Sequence, residues 1–272
     1  MKEKDIKSVV KEKYGQIAVQ SDTSDKGGCC CGPSSSSCCG SDYTVFSESY
    51  ESLEGYNSDA DLGLGCGIPT DYAGIKKGDS VLDLGSGAGN DCFVARALVG
   101  GEGRVTGLDF TEEMVEKARQ NCLKLGYSNI EFVYGDIEEM PFRSNSFDVV
   151  ISNCVLNLVP DKLRAFSEIL RVLRPGGHFS VSDVVIKGDL PAKLREDAEM
   201  YAGCVSGAVR MEEYIDIIRV AGFADIQIHK ERPIDLPTDL LKVYFTDKEM
   251  KEFSGGSSGI FSITVSAVKA AK

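Results

Sequence analysis

Val81-Leu82-Asp83-Leu84-Gly85-Ser86-Gly87-Ala88-Gly89 decides how this chain folds. An apolar strand over residues 80–84 runs into glycines spaced G-x-G-x-G, and residues 89–99 then take a helical pattern. Glycines so spaced let the backbone turn sharply and approach a ligand, with a helix N-terminus aimed at it. The spacing differs from the G-x-G-x-x-G of dinucleotide-binding turns, and Asp83 puts a carboxylate inside the strand. That carboxylate would repel a pyrophosphate and attract a ligand bearing an ammonium group.

Downstream, the pattern repeats. Residues 104–109 read as a second strand, and Thr111 is expected to cap a helix over 112–125 that stops at Gly126. Strands follow at 130–134, 147–152 and 178–183, with a helix over 161–173 ended by Pro175-Gly176-Gly177. Strands alternating with helices at this spacing predict a mostly parallel sheet, doubly wound, with helices on both faces. Beyond Asp183 the order changes: a helical stretch at 190–201, a loop holding Cys204, and a helix over 211–221. Strands at 224–230 and 260–268, preceded by a Gly/Ser turn at 254–259, close the sheet at seven strands.

Upstream, residues 2–18 read as a charged helix with Ile6, Val9, Val10, Tyr14 and Ile17 as its apolar stripe. Residues 20–42 are low in complexity and carry Cys29-Cys30-Cys31 and Cys38-Cys39; they are expected to form a mobile loop. The chain thus divides into an N-terminal helix and Cys-rich arm (1–43), a lead-in segment with Cys66 (44–79), a ligand-binding core (80–189) and a C-terminal lid with Cys204 and sheet-closing strands (190–272).

Bulk properties exclude several roles. The 272 residues carry a net charge of −12 and no basic patch, which argues against nucleic acid or an anionic membrane as partner. No apolar run approaches the roughly 18–20 residues of a membrane span, and no apolar core follows the charged first residues. A cytoplasmic protein is expected. Its ten cysteines then point to metal binding, catalysis or redox chemistry before a disulfide frame. Nothing suggests a coiled coil, so a monomer is expected.

S-adenosylmethionine carries an ammonium group at its methionine end, which suits Asp83. Asp109, at the end of the second strand, is placed to accept hydrogen bonds from both ribose hydroxyls. Asp136 and Ile137 can flank the adenine, with Asp136 taking its exocyclic amine. Each acid also has a plainer reading: Asp109 as a cap for the following helix, Asp136 as a turn residue. Together, in order at strand ends and with Gly85, Ser86, Gly87 and Gly89, they form an S-adenosylmethionine site. Residues 80–183 resemble the class I S-adenosylmethionine-dependent methyltransferases, with Phe147-Asp148-Val149-Val150 and Leu170–Gly177 fitting later motifs. The resemblance adds Phe110, Met114 and Asn153 to the cofactor pocket.

The acceptor must be read from the site, because the fold serves many reactions. His178 and His229, the only histidines, fall in expected strands, so a histidine base is not expected. Cys66, Cys154 and Cys204 stand beside the donor site in Gly65-Cys66-Gly67-Ile68-Pro69, Asn153-Cys154-Val155-Leu156-Asn157 and Gly203-Cys204-Val205. Three soft thiolates select a soft acceptor such as arsenic(III), whose free lone pair can attack a sulfonium methyl without a base. These segments resemble the motifs of arsenite methyltransferases over about residues 60–230. The resemblance implies methylation of arsenite to mono- and dimethyl products, a detoxification, supported by a thiol reductant such as thioredoxin or glutathione. It implies that Cys154 and Cys204 hold arsenic throughout, while Cys66 completes the first site and takes part in disulfide exchange.

Other readings stay open. A buried cysteine is often just a small hydrophobe, and that reading is preferred for Cys92 and Cys122. The resemblance suggests Cys38 or Cys39 as a further N-terminal cysteine, with Cys38 a candidate arsenic ligand. The doubled and tripled cysteines leave capture, delivery to Cys66, disulfide partnership, zinc or no role. For the whole chain the alternatives are a C-methyltransferase of a quinone- or sterol-like acceptor, or a metalloid-binding scaffold without catalysis. The number of methyl groups added, and antimony or selenium acceptance, are not legible.

Overall fold

β1 (Ser80–Leu84) pairs in parallel on both sides, with β2 (Arg104–Asp109) and with β4 (Phe147–Asn153). The computed structural model describes residues 3–23, 47–188, 208–234 and 258–271. β3 (Ile130–Tyr134) adds to β2, and β5 (Leu173–Lys187) adds to β4, all parallel. β7 (Gly259–Val268) runs antiparallel between β5 and β6 (Ala224–Pro233), completing a seven-stranded sheet of order β3-β2-β1-β4-β5-β7-β6.

The parallel strands are apolar on both sides because both faces are covered. Val81, Val149 and Ile151 face a core with Phe93 and Cys92 of α2 (Asn90–Val99) and Val115 and Ala118 of α3 (Glu112–Leu125). Leu82, Leu84 and Val150 face the opposite core, with Phe166 and Ile169 of α4 (Lys162–Val172) and Tyr214 and Ile218 of α5 (Met211–Val220). Phe166, Phe179, Tyr214 and Phe223 stack there at centroid distances of 4.8–6.5 Å. The doubly wound reading therefore holds.

Several local expectations change. α1 (Glu3–Thr23) extends past residue 18 into the stretch expected to be irregular. β5 is continuous from Leu173 through Pro175-Gly176-Gly177: Leu173 pairs with Phe147, a register shift spans the next residues, and Gly176 and Gly177 exchange backbone bonds with Lys269. Thr111 occupies the N-cap of α3 but makes no side-chain cap; its N–H donates instead to Asp109 Oδ1 at 2.8 Å. Asp161 does cap α4, accepting the Arg164 N–H. The helical stretch 190–201, the Cys204 loop and the cysteines at 29–39 lie outside the described residues.

Gly85 is the fixed point of the loop. It has φ +68°, its N–H donates to Leu108 O at 2.7 Å, and an added Cβ would lie 2.4 Å from Val155 Cγ2. Gly87 has φ +51° with open space where a Cβ would go. Gly85→Ala should therefore cost roughly 3 kcal/mol, from left-handed strain plus overpacking. Gly87→Ala should cost about 1 kcal/mol from the backbone alone. Urea denaturation of the two variants checks the difference; equal losses would refute the packing component.

Candidate active site

The order of the sheet reverses between β1 and β4, and a crevice opens outside their carboxyl ends, as doubly wound sheets require. Leu84 pairs with Ser152, so the glycine loop and Asn153-Cys154 leave the sheet side by side. The cleft between them spans about 850 Å³ when the solvent at its open mouth is included. Gly85, Ser86, Gly87, Asp109, Phe110, Met114, Asn153 and Cys154 line it. Asp136, Ile137 and Phe110 line a smaller, mainly apolar recess with Val155 and Pro160.

The cleft is acidic. Glu48, Asp61, Asp91 and Asp109 line it, and among the described residues no Lys, Arg or His does. Asp109 accepts N–H donors from Gly87 at 3.0 Å and Thr111 at 2.8 Å, yet burial still raises its pKa above the ordinary carboxylate value. Asp91, at the first turn of α2, accepts the Tyr50 hydroxyl at 2.8 Å and Asn153 Nδ2 at 3.2 Å. Burial pushes Asp91 up to about 6 against those hydrogen bonds.

Asp83, expected to meet the ammonium group, does not line this cleft. It is fully buried behind the loop, and the Cys92 thiol donates to it at 3.2 Å. Burial first, and then the nearby Asp91, hold its carboxyl far above the usual range. Gly89 likewise faces inward, against Phe93 and Phe132.

Cys66 is completely buried and follows Gly65, which lines the cleft; Cys154 is 4% exposed and lines it directly. Cys154 holds a left-handed φ of +61° with its N–H on Ser182 O at 2.8 Å. Cys92 is committed to Asp83 and Cys122 to Tyr127 O, in keeping with structural parts for both. His178 bonds Ala73 O, and His229 bonds Ser266 and stacks on Tyr72, so neither reaches the cleft.

Sequence reading missed the cover of the site. α1 packs on α3 and brings Tyr14 to the cleft and Lys7 and Val10 to the apolar recess. Lys7 Nζ lies 2.6 Å from Asp136 Oδ2 and also bonds Glu138. Asp136 is thus held by α1 at the recess mouth. Tyr50 and Asp91 were missed too, since neither belongs to the glycine motif, although Asp91 follows it by two residues.

Against known proteins, a family model described as a methyltransferase domain matches residues 75–234. Over 98% of its length the chain is 39% identical to an arsenite methyltransferase of Halobacterium salinarum, covering 68% of that protein. The chain belongs to the arsenite methyltransferase family. The crystal structure of an arsenic(III) S-adenosylmethionine methyltransferase from Chlamydomonas reinhardtii superposes with a TM-score of 0.63 at 39% identity, covering 76% of this chain and 68% of that one. A demethylmenaquinone methyltransferase of Listeria monocytogenes is 38% identical over 109 residues, only 40% of this chain and 46% of that protein. The chain spans 40% to 53% of the length of the other curated arsenite methyltransferases it matches.

As a member of this family the chain is an S-adenosylmethionine-dependent methyltransferase. The site fits that donor on its own chemistry. Ser86 Oγ and Asn90 Oδ1 are buried without hydrogen-bond partners, and both residues line the acidic cleft. A buried unpaired polar atom costs about 1–3 kcal/mol, so these await a polar ligand.

Asp91 makes a stability test. Its pKa rises from 3.8 to about 6 on folding, so the folded state binds the extra proton between those values. Stability of the ligand-free protein therefore falls as pH rises through that window. Asp91→Asn should flatten the profile and raise stability at pH 7 by up to about 3 kcal/mol. Urea midpoints from pH 4 to 8 check this; a stability that rises between pH 4 and 6 through Asp91 would contradict it.

Proposed function

We propose that this protein moves the methyl group of S-adenosylmethionine onto arsenic(III) held by Cys66, Cys154 and Cys204 thiolates. The observation that carries the reading is that Asn153, the neighbour of Cys154 in the cleft wall, accepts the Cys66 N–H at 3.0 Å across 87 residues of sequence. Cys204 lies outside the described residues and enters through the motif resemblance alone.

Bound S-adenosylmethionine supplies an electrophilic methyl on a sulfonium. The acidic lining favours such a cation, and we assign the contact with its ammonium group to Asp91, with Asp109 left to the ribose and the Asp136 recess to the adenine. The thiolates exchange for the hydroxyls of arsenite, each thiol proton leaving with a hydroxide as water. Thiolate ligation leaves the arsenic lone pair free, so the chain has to orient two reactants and needs no base. This agrees with the positions of His178 and His229 outside the cleft. Methylation formally oxidises arsenic to the pentavalent state. Two thiolates that leave as a disulfide return the two electrons, and a thiol reductant such as thioredoxin or glutathione restores them.

Turnover of arsenite and of methylarsenite, with products separated by mass spectrometry, tests the assignment. Cys154→Ser and Cys204→Ser should lower both activities at least about 1,000-fold. Cys66→Ser should abolish turnover of arsenite and spare that of methylarsenite, which needs two thiolates. Equal loss on both substrates would overturn that division. Full activity in all three variants, or methylation of a quinone with no turnover of arsenite, would replace this reading with the carbon methyltransferase.

Donor affinity adds a pH test. As pH falls through about 6, Asp91 takes a proton and its attraction for the ammonium is lost. Affinity for S-adenosylhomocysteine, which keeps that ammonium, should fall by about tenfold per unit at most below pH 6. In Asp91→Asn, affinity at pH 7.5 should be weaker by about 2 kcal/mol, roughly 30-fold, with little pH dependence left. Calorimetric titration reads both, and unchanged affinity would remove Asp91 from the donor site.

A further inference from the structure

Asn153 ends β4 and directly precedes Cys154, yet its side chain is spent on the segment of the other cysteine. Oδ1 accepts the Cys66 N–H at 3.0 Å, and Nδ2 donates to Gly67 O at 2.9 Å. These two bonds bracket Cys66 in the backbone, as a neighbouring strand would. The approach is close: an added Cβ on Gly65 would lie 2.5 Å from Asn153 Nδ2. Beyond the bracket, Cys66 O accepts from Ser262 Oγ at 2.6 Å and from Arg232 at 3.5 Å.

The same side chain touches the donor end of the cleft. Besides Gly67 O, Nδ2 has Tyr50 Oη at 2.8 Å and Asp91 Oδ2 at 3.2 Å as acceptors. The Tyr50 hydroxyl in turn has Gly67 O at 3.0 Å and Asp91 Oδ1 at 2.8 Å within reach. Two amide protons and one hydroxyl proton therefore serve more acceptors than they can satisfy at once. Asp91 competes with Gly67 for them. A cation placed on Asp91 removes that competition and turns the Tyr50 and Asn153 donors toward Gly67.

We propose that Asn153 is a positioning residue that brackets Cys66 against Cys154 and transmits occupancy of the donor end at Asp91 to the Cys66 backbone. The proposal rests on the arsenic reading above. Its consequence is positive coupling: a bound donor firms the third thiolate, and arsenite in turn tightens the donor by the same factor.

The experiment is an arsenite titration of the reduced full-length protein, followed by thiolate-to-arsenic ultraviolet absorption, with and without S-adenosylhomocysteine. That ligand keeps the ammonium group and has no methyl to transfer. Wild type should show three-thiolate absorption and an arsenite affinity raised about tenfold by S-adenosylhomocysteine. Asn153→Asp keeps the shape but turns a carboxylate oxygen toward Gly67 O and Asp91. At pH 8 it should give two-thiolate absorption and no coupling. Tyr50→Phe should keep the three-thiolate band and lose most of the coupling. Thermal unfolding and circular dichroism establish that each variant is folded. A folded Asn153→Asp variant with the wild-type band and coupling at pH 8 overturns the proposal. Absence of any arsenic band in wild type overturns the arsenic reading, and the proposal with it.

Discussion

The parallel pairing of β1 with β4 is the constraint on which the rest depends. It sets Leu84 beside Ser152, so that two turns of different origin emerge together at the carboxyl edge of the sheet. One is the glycine loop; the other carries Asn153 and Cys154. Gly85 has no room for a side chain because Val155 already fills the space. The reversal of strand order at this point leaves a crevice, and the lead-in segment with Tyr50 and Gly65 packs into its side. Donor site and cysteine pair therefore share one framework.

Electrostatics give the crevice its selectivity. Among the described residues four carboxylates and no basic side chain line it; Glu48 is paired with Lys230 and Arg232, which leaves Asp61, Asp91 and Asp109 to favour a cation. Asp83 and Asp91 lie close together, and both have raised pKa values chiefly because burial disfavours their charge. Such destabilised carboxylates mark a functional site more often than a structural one. A cationic ligand offsets that cost on binding, which links the burial of these carboxylates to affinity. α1 completes the enclosure through Lys7, Val10 and Tyr14, at the side where the recess is apolar.

Most of the fold was legible because periodicity and punctuation act locally. Strands at 80–84, 104–109 and 130–134 and the helix stopped at Gly126 follow from apolar runs and glycines. Where long-range bonding overrode local signals, the reading failed: β5 runs through Pro175-Gly176-Gly177, where Gly176 and Gly177 exchange backbone bonds with Lys269. The glycine loop, Asp109 and Asp136 stood out in the sequence by their order, and the structure sets the loop and Asp109 on the cleft and Asp136 on the recess. Asp83 looked like its ammonium partner, but a strand residue points to one face only, and here that face holds Cys92. Asp91, Tyr50 and the bracketing part of Asn153 depend on contacts 41 to 103 residues apart, which no spacing in the sequence encodes.

The proposed arsenic site is tested most directly by X-ray absorption at the arsenic edge. The sample is the reduced protein with one equivalent of arsenite and S-adenosylhomocysteine. The account predicts three sulfur neighbours around each arsenic and no oxygen. An arsenic shell still made of oxygen, or one with a single sulfur, would contradict it.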